Sequence, residues 1–412
     1  MHDSAIVREP VEGFEEACQR SVNALRAALI NVYDSAGLDI EAPQDVARKL
    51  RINKTLTWTL ARLLQSTDGL TAVQHVPGLS SIEKVLQAIQ QAGADEAAIA
   101  VARNAAIEFQ AMIEAHAGDR PTLDLMVDAL GSGDDDKLEM SRKLAFRGNS
   151  GVFGVQARTR LACWFLGVNE ADSNRIDMVP MQGYVGFRRL RPNVPWRLVT
   201  IRSWSDHGDF DPSRGPAPLD PQGNTSPGVS LITPFLRGNV PTINRVKTHE
   251  GSDIMLGPGA VGNEGVFDVF RGEIMRSVAA RFADGPGETG ECAVQSSTPV
   301  ENLVMDLVFD RRLSFVGEAA PIAFNRYFAQ GERTPPANDS GVLPISMSRV
   351  ELPGDAPMMA TPLVPRYQEI AGFVFDKMGW DARRFRAVRV RMKYPPMGST
   401  VVLRFPLPTK AD

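Results

Sequence analysis

The sequence predicts an α+β protein in two parts, an all-helical first third and a larger mixed remainder rich in antiparallel β-structure. Three observations carry that expectation. Up to about residue 130, apolar residues recur every three to four positions, the period that gives a helix one buried stripe. The run GSGDDDK at 131–137 then breaks the pattern and reads as a linker. Beyond it, proline and glycine become frequent, and short stretches alternate apolar with polar residues as half-buried strands do.

Composition narrows the function classes. At 412 residues the chain exceeds what one hydrophobic core usually supports, so more than one domain is expected. Its 43% hydrophobic and 23% charged residues are ordinary for a globular protein. A formal net charge of −4 argues against a polyanion binder throughout, so any nucleic-acid contact must be a local basic patch. Cys18, Cys163 and Cys292 lie far apart, form no CxxC, and suit free thiols in a reducing compartment. No apolar run approaches the ~20 residues that span a bilayer. The opening MHDSAIVREPVEG lacks a basic segment followed by an apolar one, so a cytoplasmic protein without membrane association is expected.

Taken in order, residues 1–14 are polar, contain Pro10 and read as a loose arm. Phe14, Cys18, Val22, Leu25, Leu29 and Val32 then form a helical stripe over 14–33, ended by Gly37. Pro43 suits the first turn of a second helix, whose buried side is Val46, Ala47 and Leu50, with Ile52 plugging the turn after it. A third helix puts Leu56, Leu60, Leu63 and Leu64 on one stripe, and Lys54, Trp58, Arg62 and Gln65 on the opposite face. TDGLTAVQHVPGLSS reads as two short alternating stretches about a glycine turn, a small β-wing that completes a module over 15–80. Helices at 81–91, 95–116 and 121–130 form a helical extension over 81–130.

After the linker, 138–412 is expected to be an α+β region with long loops. A helical segment at 137–146 could belong to either part. Strands are expected at 184–190, 196–204, 300–315, 385–394 and 400–405, the last two flanking PPMGS as a hairpin. Two helices are expected at 265–282 and 367–378, and 206–228 reads as a long surface loop.

Residues 43–65 carry the strongest chemical signal. They hold Arg48, Lys49, Arg51, Lys54 and Arg62, with no acidic residue from Val46 to Thr67. Small or apolar residues (Ala47, Leu50, Ile52, Leu60) stand where two helices would cross, and cations and hydrogen-bonding side chains stand outside. DVARKLRINKT resembles the bacterial winged helix-turn-helix transcription regulators, matching their run of apolar residue, Ala, two polar residues, Leu, turn residue, Ile and small polar residues. Arg51 stands where that family usually has a left-handed glycine, at about 1 kcal/mol for a non-glycine residue. Thr57 stands where a branched apolar residue is commoner, with Leu56 taking that role. The resemblance, over residues 14–80, implies that the second helix of the pair lies in the major groove of double-stranded DNA. It also implies that Arg48, Lys49, Arg51, Lys54, Thr55, Thr57, Trp58 and Arg62 contact the duplex. The competing explanation is a helical hairpin whose basic face is merely solvated, or one that grips protein.

Other motifs carry less. Arg147, Asn149, Ser150, Arg158 and Arg160 surround the glycines of GNSGVFG at 148–154, where backbone and guanidinium groups could hold an anionic ligand; a hinge explains the same residues. GPGAVG at 257–262 matches GxGxxG, but Pro258 removes a donor and no βαβ alternation surrounds it, so a dinucleotide site is rejected. DHGDFD at 206–211 is oxygen-rich but lacks the twelve-residue calcium loop, and no histidine pair has zinc spacing. Residues 386–394 alternate, with Arg389, Arg391 and Lys393 on one face. Neither a cofactor nor a metal is expected. The sequence therefore points to a DNA-binding regulator, homodimeric through 81–130, whose second part senses a small molecule or protein effector. The alternative is a structural or assembly protein that docks through the same helices. An enzyme has the least support, because no nucleophile, base and orienting group assemble from neighbouring residues.

Overall fold

In the first helix, α1 (Phe14–Ser35), Val22, Leu25, Leu29 and Val32 form a stripe that is wholly buried. The computed structural model describes residues 13–66, 69–130, 135–201, 216–223, 228–248, 251–325 and 341–410, and divides into two units, Met1–Lys137 and Leu138–Asp412. In the first unit α1 is followed by α2 (Pro43–Leu50), α3 (Lys54–Gln65), α4 (Gly69–Val73), α5 (Leu79–Gln91), α6 (Glu96–His116) and α7 (Arg120–Leu130). All seven contribute to one apolar core running from Ala17 to Val127. Each leucine or valine it encloses contributes roughly 1.5–3 kcal/mol. Local signals fix the ends: the Asp95 carboxylate caps α6 by accepting from the Ala97 and Ala98 N–H groups. Arg120 ties the start of α7 to the α4 segment by donating to the carbonyls of Val73 (2.7 Å) and Val76 (3.0 Å).

The β-wing expected over 67–80 is not what the chain forms. Its described residues make α4, a turn and the start of α5, with no strand. The reason is burial at helical spacing. Leu70 packs against the core and Ala72, Val73 and Val76 are within it, a set that a period-two strand would divide between two faces. Of the expected linker, residues 131–134 lie outside the described residues, and 135–137 begin α8 (Asp135–Phe153).

The second unit contains β1 (Val155–Val168), β2 (Arg175–Arg189), β3 (Trp196–Ile201), β4 (Ala217–Pro218), β5 (Arg237–Gly238), β6 (Ile243–Thr248), β7 (Gly251–Leu256) and β8 (Phe267–Ala280). After these come β9 (Thr289–Gln295), β10 (Val300–Asp310), β11 (Ala320–Phe324), β12 (Arg349–Glu351), α9 (Tyr367–Met378), β13 (Phe385–Lys393) and β14 (Thr400–Pro406). Among the described residues the strands form an eight-stranded sheet in the order β12-β13-β10-β1-β2-β8-β4, with β5 also on β8, and two three-stranded sheets, β11-β14-β9 and β3-β7-β6. β1 runs parallel to β10, and the other strand pairs are antiparallel. β1 and β10 are buried along almost their whole length because both faces are covered. Leu161 and Phe165 pack with Tyr367, Ile370 and Val374 of α9, while Trp164 and Leu166 pack with Val401 and Leu403 of β14.

Three expectations change. Residues 265–282, expected as a helix, form β8, in which every residue from Phe267 to Glu273 is buried; a helix with one covered stripe cannot bury seven in a row. The strands flanking PPMGS exist but are not a hairpin: β13 pairs with β10 and β12, and β14 with β9 and β11. Pro395 and Pro396 offer no ladder N–H, and Tyr394 adopts φ 48°, so the chain turns away into the second sheet. The strand expected to 315 ends at Asp310, whose carboxylate caps a 3₁₀ helix by accepting from the Arg312 N–H.

Candidate nucleic-acid interface

The turn between α2 and α3 is three residues, Arg51-Ile52-Asn53. Arg51 adopts the left-handed conformation, φ 54° and ψ 39°, so it does what a glycine would do there. Ile52 N–H then closes onto the Ala47 carbonyl at 3.2 Å, and the Asn53 side chain caps α3 by accepting from Thr55 N–H at 2.7 Å. The far end of α3 is tied to α1, where the Arg26 guanidinium donates to the Ser66 carbonyl. Leu60, Leu63 and Leu64 enter the core. Those interactions orient the opposite face of α3 outward.

On that face Lys54, Thr55, Trp58 and Arg62 are exposed, Trp58 to 47%. An indole left half in water on a helix with a leucine core is a large apolar surface of the kind that marks a contact. Arg48 and Arg51 are exposed on the preceding helix and turn. Arg48 pairs with Asp45, but both side chains are more than half exposed, so the pair is weak and easily exchanged. Lys49 serves the fold instead. Its ammonium donates to the Ala36 and Gly37 carbonyls just past the C-terminus of α1, where a cation is favoured. Thr57 does not join the outer face. It is 1% exposed, with its hydroxyl donating to the Lys54 carbonyl at 2.9 Å, while Leu56 is only half-buried. Thr57 therefore takes the inward position itself. Nearby, burial and then the charges of Arg62 and Lys137 lower the pKa of His75, favouring the neutral ring.

The second candidate, around GNSGVFG, does not assemble. Residues 148–153 continue α8 instead of forming a loop, because nothing forces a positive φ before Gly154 (φ 70°). A side chain at Gly154 would collide with Arg191, its Cβ 2.6 Å from that Nε. The Ser150 hydroxyl is buried and donates to the Phe146 carbonyl at 2.7 Å. Arg147 is exposed, Asn149 half-buried, and Arg158 exposed on β1. Arg160 is buried, its guanidinium 4.6 Å from the Tyr184 ring centre. Of these five, Arg160 lines a small cavity with Gln182, Tyr184 and Arg271. The GPGAVG stretch joins β7 to a 3₁₀ turn and β8, with no helix opening on it. The acidic motif at 206–211 lies outside the described residues. On β13, Arg389 is buried while Arg391 and Lys393 are exposed, so the expected cationic face is divided.

Arg389 belongs to a cluster that sequence reasoning missed. The register sets Cys163 beside Asp306 and Asp306 beside Arg389 on β1, β10 and β13. Arg389 grips the Asp306 carboxylate with Nε–Oδ1 at 2.9 Å and Nη2–Oδ2 at 2.7 Å, and Tyr367 of α9 donates to Oδ2 at 2.7 Å. Burial pushes the Asp306 carboxyl up from its ordinary value, opposed by the Arg389 and Tyr367 hydrogen bonds; burial also raises the Cys163 thiol and the Tyr367 hydroxyl. With its acceptors occupied and its side chain fully buried, the carboxylate acts as a clamp that seats α9 on the sheet. The legible signal was one aspartate inside the apolar run LVMDLVF at 303–309.

All three cysteines are free and buried. Among the described residues, no helix is long and apolar enough to cross a membrane, and no group of three metal-ligating side chains converges. No protein-family model matches the chain, and no curated protein matches it.

Proposed function

We propose that the protein is a cytoplasmic DNA-binding regulator in which α2 and α3 form a helix-turn-helix without a wing, docking α3 in the major groove. The single observation that carries the reading is the outer face of α3, with Lys54, Trp58 and Arg62 exposed while the leucines behind them are buried. The major groove, ~12 Å wide, accepts a helix with its side chains. Lys54, Thr55, Trp58 and Arg62 then face base edges and phosphates. Arg48 and Arg51 add phosphate contacts that carry affinity without sequence preference. Lys49, engaged with α1, contributes charge at longer range.

Two heads reading two half-sites give more discrimination than one, so the reading includes a homodimer. The 81–130 helices give most of their apolar side chains to the shared core, which leaves Val101, Ile107 and Leu125 exposed as candidate pairing residues. The second unit then senses a ligand or partner. The missing wing and the exposed Trp58 favour one rival, an assembly protein that uses α3 to dock protein.

The test is binding of full-length protein to a random duplex pool, followed by Lys54→Gln/Arg62→Gln and Trp58→Ala variants. The regulator reading expects duplex retention that disappears in the double charge variant. Retention unchanged by that variant overturns it. No duplex retention at low salt, with Trp58→Ala altering oligomer size, supports the rival.

A further inference from the structure

We propose that the cavity between Arg160 and Arg271 in the eight-stranded sheet is a binding site for a single halide ion, chloride under cellular conditions. The pairing of β1, β2 and β8 creates it: Arg160 lies opposite Tyr184, and Gln182 opposite Arg271. The two arginines are 7% and 8% exposed and line one cavity of about 20 Å³, whose other walls include Leu198, Val199, Leu231, Ile254 and Val269.

Charge and hydrogen bonding are both incomplete there. Arg160 donates to Gln182 Oε1 at 2.5 Å and to the Gly183 carbonyl at 3.4 Å, which leaves its Nε without a partner. Arg271 donates its Nε to the Val229 carbonyl at 3.4 Å. Its Nη2 lies 2.5 Å from Glu273 Oε1, yet makes no aligned hydrogen bond, so the contact is one of charge alone. Ser230 donates to that same oxygen at 3.2 Å. Among the described residues around the cavity, two guanidinium charges thus face one carboxylate. Burial of Arg160 and its proximity to Arg271 act against its charged form, as expected where a counter-ion is needed.

Size selects the ligand. A cavity holds one water once it offers ~10–15 Å³, so about 20 Å³ matches one monatomic ion more closely than the larger phosphate or a carboxylate-bearing metabolite. A water satisfies donors but leaves the extra positive charge in an apolar surround. A halide satisfies both.

The test uses the full chain in two ways. Crystals grown with bromide in place of chloride should show an anomalous peak between Arg160 and Arg271. In solution, the thermal midpoint should rise saturably with chloride and not with gluconate at equal ionic strength. Arg160→Gln should abolish that rise, and Glu273→Gln, which removes the competing carboxylate, should lower the half-saturating chloride concentration severalfold. If Arg160→Gln fails to fold, the wild-type bromide peak and anion dependence still decide. A water-like peak without anomalous signal, equal stabilisation by gluconate, or bromide density without any effect in solution would each overturn the proposal.

Discussion

The α2–α3 face and the central sheet of the second unit use the same residue type in opposite ways. On α2, the turn and α3, Arg48, Arg51 and Arg62 extend into water above a core of leucine, valine and alanine. In the sheet, Arg160, Arg189, Arg271 and Arg389 are all buried. The difference follows from how many faces each element must cover. A surface helix keeps a polar face, and long cationic side chains are at home there. A strand covered on both sides has no such face, so each arginine on it must find partners from its neighbours. Arg389 finds a full set in Asp306 and the Met359 carbonyl. Arg189 uses the carbonyls of Val194, Leu256 and Gly257. Its Nε stays without a hydrogen-bond partner, as do Arg160 Nε and Arg271 Nη2, and the last two arginines line one shared cavity.

That contrast breaks most visibly at Asp306. Asp306→Ala leaves Arg389 charged and buried beside a hole, and should destabilise by about 3–5 kcal/mol in denaturant unfolding. A loss below ~1 kcal/mol would show that the clamp is not needed to seat α9.

The acid limb of stability sharpens it. Burial raises the Asp177 pKa, but the Asn169 amide, the Ser277 N–H and Arg276 outweigh it, and the carboxyl sits below its ordinary value. Asp310 is likewise held down against burial by Arg312 and Arg384. Groups with depressed pKa values contribute stability above the unfolded value of ~3.9, and that contribution is lost as pH falls through the folded value. The thermal midpoint should therefore drop between about pH 5 and pH 2, and Asp177→Asn should flatten that drop. An identical acid limb in the variant would remove Asp177 from the account.

Effects at the helical face should be smaller. Asn53→Ala removes the α3 cap and should cost about 1 kcal/mol. Arg51→Gly relieves a left-handed non-glycine residue and should change stability by no more than ~1 kcal/mol, in the stabilising direction. Trp58→Ala should stay within ~0.5 kcal/mol of wild type, since the indole is half in solvent. A loss above ~2 kcal/mol would mean that Trp58 belongs to the core, and so would remove it from the outer face.

How much of this was legible in the sequence follows the same division. Helical periodicity gave the starts of α1 and α2 at Phe14 and Pro43, the bounds of α9, and the exposure of Lys54, Trp58 and Arg62 opposite the leucines. These are local facts, fixed by residues three or four apart. The wing failed because Leu70, Thr71 and Ala72 alternate apolar with polar in the sequence, while the covered residues Leu70, Val73 and Val76 stand three apart, as on a helical turn. β8 failed for the converse reason: a doubly covered strand has no alternation to detect. The β13–β14 pairing and the buried arginines depend on register between residues far apart in the chain, such as Cys163, Asp306 and Arg389. No local pattern specifies that. Thr57 differs from expectation by one position of helical phase.

The most direct measurement on the central claim is the slope of log binding constant against log salt for full-length protein on duplex DNA, compared with Lys54→Gln/Arg62→Gln. If these side chains neutralise phosphates, the wild-type slope is steeply negative, and the double variant is shallower by about 0.9 for each phosphate no longer neutralised. A slope near zero in the wild type, or one left unchanged by the variant, would contradict the assignment of this face to nucleic acid.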